Sequence, residues 1–454
     1  MNDLTLKGIS GNKKAYIGKK IHKPMKPVRI LGKGLTIEAD SQSLMNNNML
    51  VVGSTGTGKS RSIVSPTLEA ATTESFIVVD TKRSLYDLHR DSLIRKGYRV
   101  HVLDLVDDIK ESSTCGYNPF DFVRLEDGGR YAKTDDIKSL VDLVAADEDF
   151  RDSRDPYWSI AAKDTITMCT ALCCRLLPPE EHTLEYVSKI LNLVGRPEFE
   201  LLISEAAKDD PECLEVKIFE SIQSTGKTER MMHSIVAIAQ TVLSQYLFDG
   251  IEDLYNRPDR IDFEELQRHK TALFLNISDH DDSRNPLVRL FMSQAINNLI
   301  DIADRRKDRK LRRPVHIIAD DAGNYVIPGL HRKMNVFRSR QIYITILFQS
   351  IDQAKKYGVE WTSIIANCSI LIFLGSNELE TNRYFAEVSN LPLEQLQLMP
   401  IQDELICFQG REARIVKKFI ADDFKPIACL DDLEEHNERE AGIEKISEDL
   451  KEVC

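Results

Sequence analysis

The stretch that decides the fold is Met49-Leu50-Val51-Val52-Gly53-Ser54-Thr55-Gly56-Thr57-Gly58-Lys59-Ser60. A buried-strand pattern runs into a glycine-rich loop with the spacing G-x-x-x-x-G-K-[ST]. Its chemistry is that of a phosphate cradle. Glycines let backbone N–H groups turn toward anionic oxygens, and a helix opening at the loop's end adds the positive end of its dipole. Lys59 reaches the β and γ phosphates, and Ser60 offers a hydroxyl to Mg2+. Residues 62–71 can form that helix, although Pro66 should bend or end it. Gly53, Ser54, Thr55, Gly56, Thr57, Gly58, Lys59 and Ser60 are therefore the expected ATP-binding residues.

Working outward, short apolar runs recur at 49–52, 76–79, 100–103, 272–277, 315–319, 342–348 and 370–374. Helical patterns such as 290–303 separate them. This alternation reads as α/β, with a mostly parallel sheet covered on both faces. One section breaks it. From about 156 to 266 the period is helical, at 161–177, 184–194, 199–207 and 234–246. It is best read as an inserted all-alpha domain. The expected division is a basic arm with lead-in strands (1–46), a nucleotide-binding domain in two parts (47–150 and 267–421), the all-alpha domain (151–266) and an acidic tail (422–454).

A nucleotide site also needs an acid on a neighbouring strand. Val315-His316-Ile317-Ile318-Ala319-Asp320-Asp321 supplies two where a strand's carboxyl end should meet the phosphates. Asp320 is expected to hold Mg2+ through water, and Asp321 to polarise the attacking water. The 261-residue gap from Lys59 to Asp320 suits a motor core carrying an inserted domain better than a small kinase. Gln349 ends the strand 342–348 and fits a sensor of the γ-phosphate.

Composition narrows the partners. The chain has 454 residues and a net charge of −12, so contact with nucleic acid needs a local basic patch. Between Lys7 and Lys33 there are nine bases and no acid; from Asp422 to Cys454 there are twelve acids and four bases. Such blocks are usually solvated and are also common interaction tails. Nine cysteines without paired metal-type spacing read as reduced cytosolic thiols. No signal peptide is legible, and the runs 231–248 and 361–377 are too polar to span a membrane. The expected place is the cytoplasm, at the inner membrane face.

In this order the segments resemble the coupling proteins of type IV secretion and conjugative DNA transfer, over about 47–391. The resemblance is carried by the phosphate loop and by Asp80-Thr81-Lys82-Arg83-Ser84-Leu85-Tyr86. It continues in Gly116-Tyr117-Asn118-Pro119-Phe120-Asp121, in Asp155-Pro156-Tyr157-Trp158, in Asn285-Pro286-Leu287 and in Asp320 to Pro328. The stretches from Arg338 to Gln353 and Phe373-Leu374-Gly375-Ser376-Asn377 complete it. It implies a RecA-like P-loop NTPase with an all-alpha insertion, in a homo-hexameric ring that hydrolyses ATP. Such a ring moves DNA, single- or double-stranded, or a relaxase–DNA complex to a secretion channel. Channel ATPases or a membrane-anchoring subunit are the implied partners. A neighbour's arginine then stabilises the transferring phosphoryl group; Arg338 and Arg340 are the candidates. Arg332 and Lys333 are candidate DNA-phosphate contacts, and the basic run from Arg305 to Arg313 should lie opposite the nucleotide.

Three departures stand out. The family's usual N-terminal membrane pair is missing from this sequence. Its Asp-Glu pair is Asp320-Asp321 here, one methylene shorter. Its second-strand segment keeps only Asp80, Lys82 and Leu85-Tyr86. The shortened acid leaves an ATP-binding receptor with vestigial hydrolysis as one rival reading, and a general DNA-pumping motor as another.

Overall fold

The computed structural model describes residues 27–39, 45–106, 109–126, 131–146, 156–224 and 229–420. The bases before residue 27, the acidic segment from 422 and Asp155 lie outside them. Thirteen strands are present among the described residues: β1 (Val28–Gly32), β2 (Leu35–Glu38), β3 (Met49–Val52), β4 (Ser75–Asp80), β5 (Arg99–Asp104), β6 (Leu125–Glu126), β7 (Tyr131–Ala132), β8 (Thr271–Asn276), β9 (Val315–Ala319), β10 (Ile342–Phe348), β11 (Ile370–Phe373), β12 (Asp403–Phe408) and β13 (Arg414–Lys417). Nine form one sheet in the order β13-β12-β11-β3-β10-β9-β4-β8-β5.

The run from β11 to β5 is parallel throughout, and each of its strands began as one of the apolar runs in the sequence. β12 and β13 extend it antiparallel. Successive residues of a strand point to opposite faces, so both faces carry core. Leu50, Val52, Ile77, Val79, Ile317 and Ile344 feed one cluster. Met49, Val51, Phe76, Val78, Ile318 and Leu347 feed the other. Each such side chain contributes about 2 kcal/mol by leaving water. A strand buried on both faces has no polar alternation, which is why six of these read as continuous runs, while β5 at the sheet's end is half-exposed over Arg99 to His101.

Between β5 and β8 the chain is mainly helical. Pro156–Leu176 is the central helix, packed against Leu184–Leu191, Pro197–Asp209, Leu214–Ser224 and Glu229–Ser244. It is apolar nearly all round, from Ala161 and Ala162 to Cys173 and Cys174, as a helix surrounded by helices must be. Thr165 and Thr170 fit there because their hydroxyls donate to the carbonyls of Ala161 and Ile166, 2.8 Å away in both cases. The cysteines of the described residues are free and buried.

The segment Gly116 to Asp121 ties these helices to the sheet. A Cβ on Gly116 would stand 2.7 Å from the Leu254 carbonyl oxygen, so only glycine allows that approach. Asn118 Nδ2 donates to the His182 carbonyl (2.8 Å), and Tyr117 Oη bonds Gln294 (2.5 Å) on the long helix Asn285–Asp304. The aromatic and amide residues of this motif are therefore structural joints.

Candidate functional site

The glycine loop leaves β3 between two neighbouring strand ends. Gly53 N–H donates to the Phe348 carbonyl at the end of β10, and Ser54 N–H to the Gly375 carbonyl beyond β11, each at 3.1 Å. Thr57 closes the turn, its N–H (3.2 Å) and hydroxyl (2.7 Å) both donating to the Ser54 carbonyl. Gly56 and Gly58 have φ of +84° and +93°, which L side chains rarely adopt. Lys59 Nζ donates to the Gly53 carbonyl at 2.7 Å. Burial lowers the Lys59 pKa, opposed by the charges of Asp321 and Asp320 and reinforced by nearby Lys82.

Pro66 falls in the first turn of the short α-helix Ser65–Glu69. The helix opens with a wide turn over Ser60–Val64, where Ser65 N–H reaches five residues back to the Ser60 carbonyl. It then runs as an α-helix over Ser65–Glu69. Proline has no N–H and its ring crowds the carbonyl four residues back, and a widened turn relieves both.

The acid pair sits two strands from the loop, because β10 lies between β3 and β9. Asp320 and Asp321 are both buried, at 5% and 7% exposure. Burial, then the neighbouring Asp321 carboxylate, pushes the Asp320 pKa up to about 7. Asp321 takes a left-handed backbone (φ +45°), a conformation that costs a non-glycine residue on the order of 1 kcal/mol. Its N–H donates to Asp320 Oδ1 at 3.1 Å, while its own Oδ1 is buried without a hydrogen-bond partner. Gln349, on the intervening strand's end, touches the loop: Thr55 Oγ1 donates to its Oε1 at 3.4 Å. On the far side of β9, Asp80 ends β4 and caps the helix Ser84–Arg95, accepting from Leu85 N–H (2.8 Å) and Tyr86 N–H (3.1 Å). That is the physical use of the Asp80 to Tyr86 segment. It also sets exposed Lys82 near Lys59.

Other sequence-derived candidates lie elsewhere. Arg338 and Arg340 end the helix Leu330–Arg340, just before β10 begins. That is the amino-terminal edge of the sheet, remote from this chain's own loop. Arg340 is held there by Asp304 at 2.8 Å. The run from Arg305 to Arg313 lies at the same edge, leading into β9, as expected from the sequence. Arg332 is exposed, whereas Lys333 turns inward; its Nζ is buried without a partner, and burial lowers its pKa to about 8.

The sequence reading missed two residues behind the loop. Lys418 donates to the carbonyl of Thr57, and Glu404 on β12 is wholly buried with neither carboxylate oxygen bonded. Burial raises the Glu404 pKa to about 8, with Lys418 opposing. No local sequence signal marks either.

Among the described residues no three His, Cys, Asp or Glu side chains come together as a metal cage. One or two carboxylates beside a phosphate cradle suit Mg2+, which keeps waters and borrows phosphate oxygens. The orphaned Asp321 oxygen, the open glycine cradle and the cationic Lys59 fit such a Mg–nucleotide pair. A phosphate loop, one intervening strand ending in a polar residue, and an acid-bearing strand define a P-loop site on a RecA-like sheet.

The comparisons agree with that class. Residues 1–389 match the family model described as type IV secretory system conjugative DNA transfer, and the chain belongs to that family. No curated protein sequence matches it. Among solved structures it resembles the plasmid coupling protein TrwB in complex with ADP and Mg2+, with a TM-score of 0.63 and 13% identity over 86% of this chain and 88% of that one. The bacterial conjugative coupling protein TrwBdeltaN70 with sulphate gives 0.60 and 14%, over 84% and 88%. VirB4 of Thermoanaerobacter pseudethanolicus gives 0.54 and 14%, over 87% and 96%. Identities this low show a shared fold. Among the described residues no helix is long and apolar enough to cross a membrane.

Proposed function

We propose that this chain is an ATP-hydrolysing coupling protein that feeds DNA, or a relaxase–DNA complex, into a type IV secretion channel. The observation that carries the ATP reading is the Asp321 carboxylate oxygen, buried and unbonded beside Asp320 and within electrostatic reach of Lys59. A buried orphan acceptor costs about 1–3 kcal/mol, and a site that must receive a metal–phosphate group and a water offsets that cost on loading.

In this reading the loop amides and Lys59 hold the phosphates, with Lys59 leaving the Gly53 carbonyl to do so. Ser60 and Asp320 would hold Mg2+, which would supply charge neutralisation to the phosphates. Asp321 takes hydrogen bonds from the attacking water and orients it. Gln349, already against Thr55, registers whether the γ-phosphate is present. Assembly into a homo-hexamer would bring a neighbour's edge, with Arg338 or Arg340, to this site. Arg332 is the better placed DNA-phosphate contact of its pair. The all-alpha section at 151–266 recognises DNA or the relaxosome, the acidic segment from 422 engages a basic partner, and a membrane subunit anchors the protein at the cytoplasmic face.

The test is steady-state ATP hydrolysis with and without single- and double-stranded DNA at low salt, beside Lys59→Ala. The expected result is DNA-stimulated turnover that falls at least about 100-fold in the variant. Equal turnover in the variant would remove the loop from the mechanism. Tight ATP binding without turnover under any condition would favour a receptor with vestigial hydrolysis, a reading supported by the short Asp321 side chain.

A further inference from the structure

Lys418 follows the last strand, β13, and is only 7% exposed. Its ammonium donates to three carbonyls: Thr57 (2.8 Å), Leu374 (3.0 Å) and Ile401 (2.8 Å). An ammonium has three donors, so all three are used. The acceptors come from three separate places. Thr57 is in the phosphate loop, Leu374 follows β11, and Ile401 lies in the turn before β12. Lys418 N–H adds a fourth tie, to the Gln402 carbonyl at 2.8 Å.

The Thr57 contact has a directional consequence. In a trans peptide the C=O and the following N–H point opposite ways. Drawing the Thr57 oxygen toward Lys418 turns Gly58 N–H away from it. Gly58 can hold that orientation because its φ is +93° and the space where a Cβ would stand is open. An anion-binding loop works by having its N–H groups aimed before the anion arrives, since reorienting a peptide on binding subtracts from affinity. Thr57 bonds Ser54 through its N–H and hydroxyl, which shapes the turn but does not hold the Thr57–Gly58 carbonyl.

We propose that Lys418 is a positioning residue of the nucleotide site: it fixes the Thr57–Gly58 peptide so that Gly58 N–H is presented to phosphate. The proposal rests on the reading of the loop as an ATP site. Lys418 itself touches no reacting atom; it acts through the loop. A residue 361 positions from Thr57 thereby becomes part of the support of the phosphate cradle.

The experiment compares the full chain with Lys418→Met in two measurements. Hydrogen exchange is followed on nucleotide-free protein, and binding of a fluorescent ATP analogue is titrated with Mg2+. Amides of residues 53–60 should exchange about tenfold faster in the variant while β8 and β9 keep their protection, as expected for loss of one charge-assisted bond. The analogue should bind about tenfold more weakly. Unchanged exchange at 53–60 overturns the proposal. So does faster exchange across the whole sheet with unchanged analogue affinity, which marks a role in stability alone. If Lys418→Met does not fold, Lys418→Gln keeps two donors, and a smaller rise in exchange at 53–60 is expected; no rise overturns the proposal. If the unaltered protein binds no nucleotide, the ATP reading falls, and the exchange measurement still decides whether Lys418 holds the loop.

Discussion

At the amino-terminal edge of the main sheet, Arg29 and Glu74 meet in a two-pronged ion pair with bonds of 2.7 and 2.6 Å, both side chains fully buried. Nearby, Arg313 donates to the Thr73 carbonyl (2.6 Å), Lys96 to Glu69 (2.8 Å) and Arg340 to Asp304 (2.8 Å). The carboxyl-terminal edge is different. Asp321 leaves an oxygen unbonded, Glu404 leaves two, and Asp320 sits against a second carboxylate. Buried polar groups are normally satisfied. The contrast lies in the carboxylates: Glu74 has both oxygens on Arg29, although Arg29 Nε and Arg313 Nε stay unbonded at that edge, whereas Asp321 and Glu404 keep bare oxygens at the other. The difference separates carboxylates that hold the protein together from carboxylates left without a partner.

The sharpest way to break that contrast is to open the satisfied pair. Glu74→Gln leaves the Arg29 guanidinium buried without its counter-ion and should cost about 3 kcal/mol of stability. Denaturant unfolding reads this, and ATP affinity of the folded protein should stay unchanged. A stability loss below about 1 kcal/mol would mean that the amino edge is not the structural one.

The opposite sign is expected at the other edge. Asp321→Asn removes a buried carboxylate and keeps a residue type that tolerates a left-handed backbone. Nucleotide-free protein should gain about 2 kcal/mol while ATP turnover falls on the order of 100-fold. A destabilised variant would show that Asp321 is satisfied in a way its environment does not suggest.

The smallest effect concerns Glu404 and is read as a pH dependence. Its folded pKa, about 8, lies above the 4.5 of an ordinary glutamate, because burial disfavours its charge. In that window the folded chain keeps a proton that the unfolded chain has released, so stability falls as pH rises toward 8. Gln does not titrate. The stability advantage of Glu404→Gln should widen by about 1 kcal/mol between pH 7 and pH 8 and flatten above. A gap independent of pH would place Glu404 outside the unsatisfied set.

How far the sequence reached follows from how local each signal is. Six of the seven parallel strands were legible because burial on both faces leaves a run without polar alternation, and β5 by the apolar residues of its inner half. β12 and β13 were not, since Asp403, Glu404, Arg414 and Lys417 interrupt them and only pairing across a turn makes them strands. The phosphate loop was legible because its φ angles demand glycine at fixed spacing. Adjacent Arg332 and Lys333 looked alike, yet neighbours on a helix point about 100° apart, and one side chain faces out while the other, half-buried, turns its ammonium inward. Arg340 gave no hint of Asp304, nor Lys418 of its three acceptors, because those partners are set by the sheet order and not by any nearby pattern.

Lys418 also has a mechanical meaning. It pins three separate parts of the chain together, and only Phe419, Ile420 and Ala421 separate it in sequence from Asp422, where the acidic segment begins. A pull on that segment reaches the pin through three residues, at most about 10 Å of chain. Such a pull loads the Lys418 N–H bond to the Gln402 carbonyl and, through the side chain, the three ammonium bonds. Tension on the tail would thus be shared between the edge of the sheet and the Thr57 carbonyl.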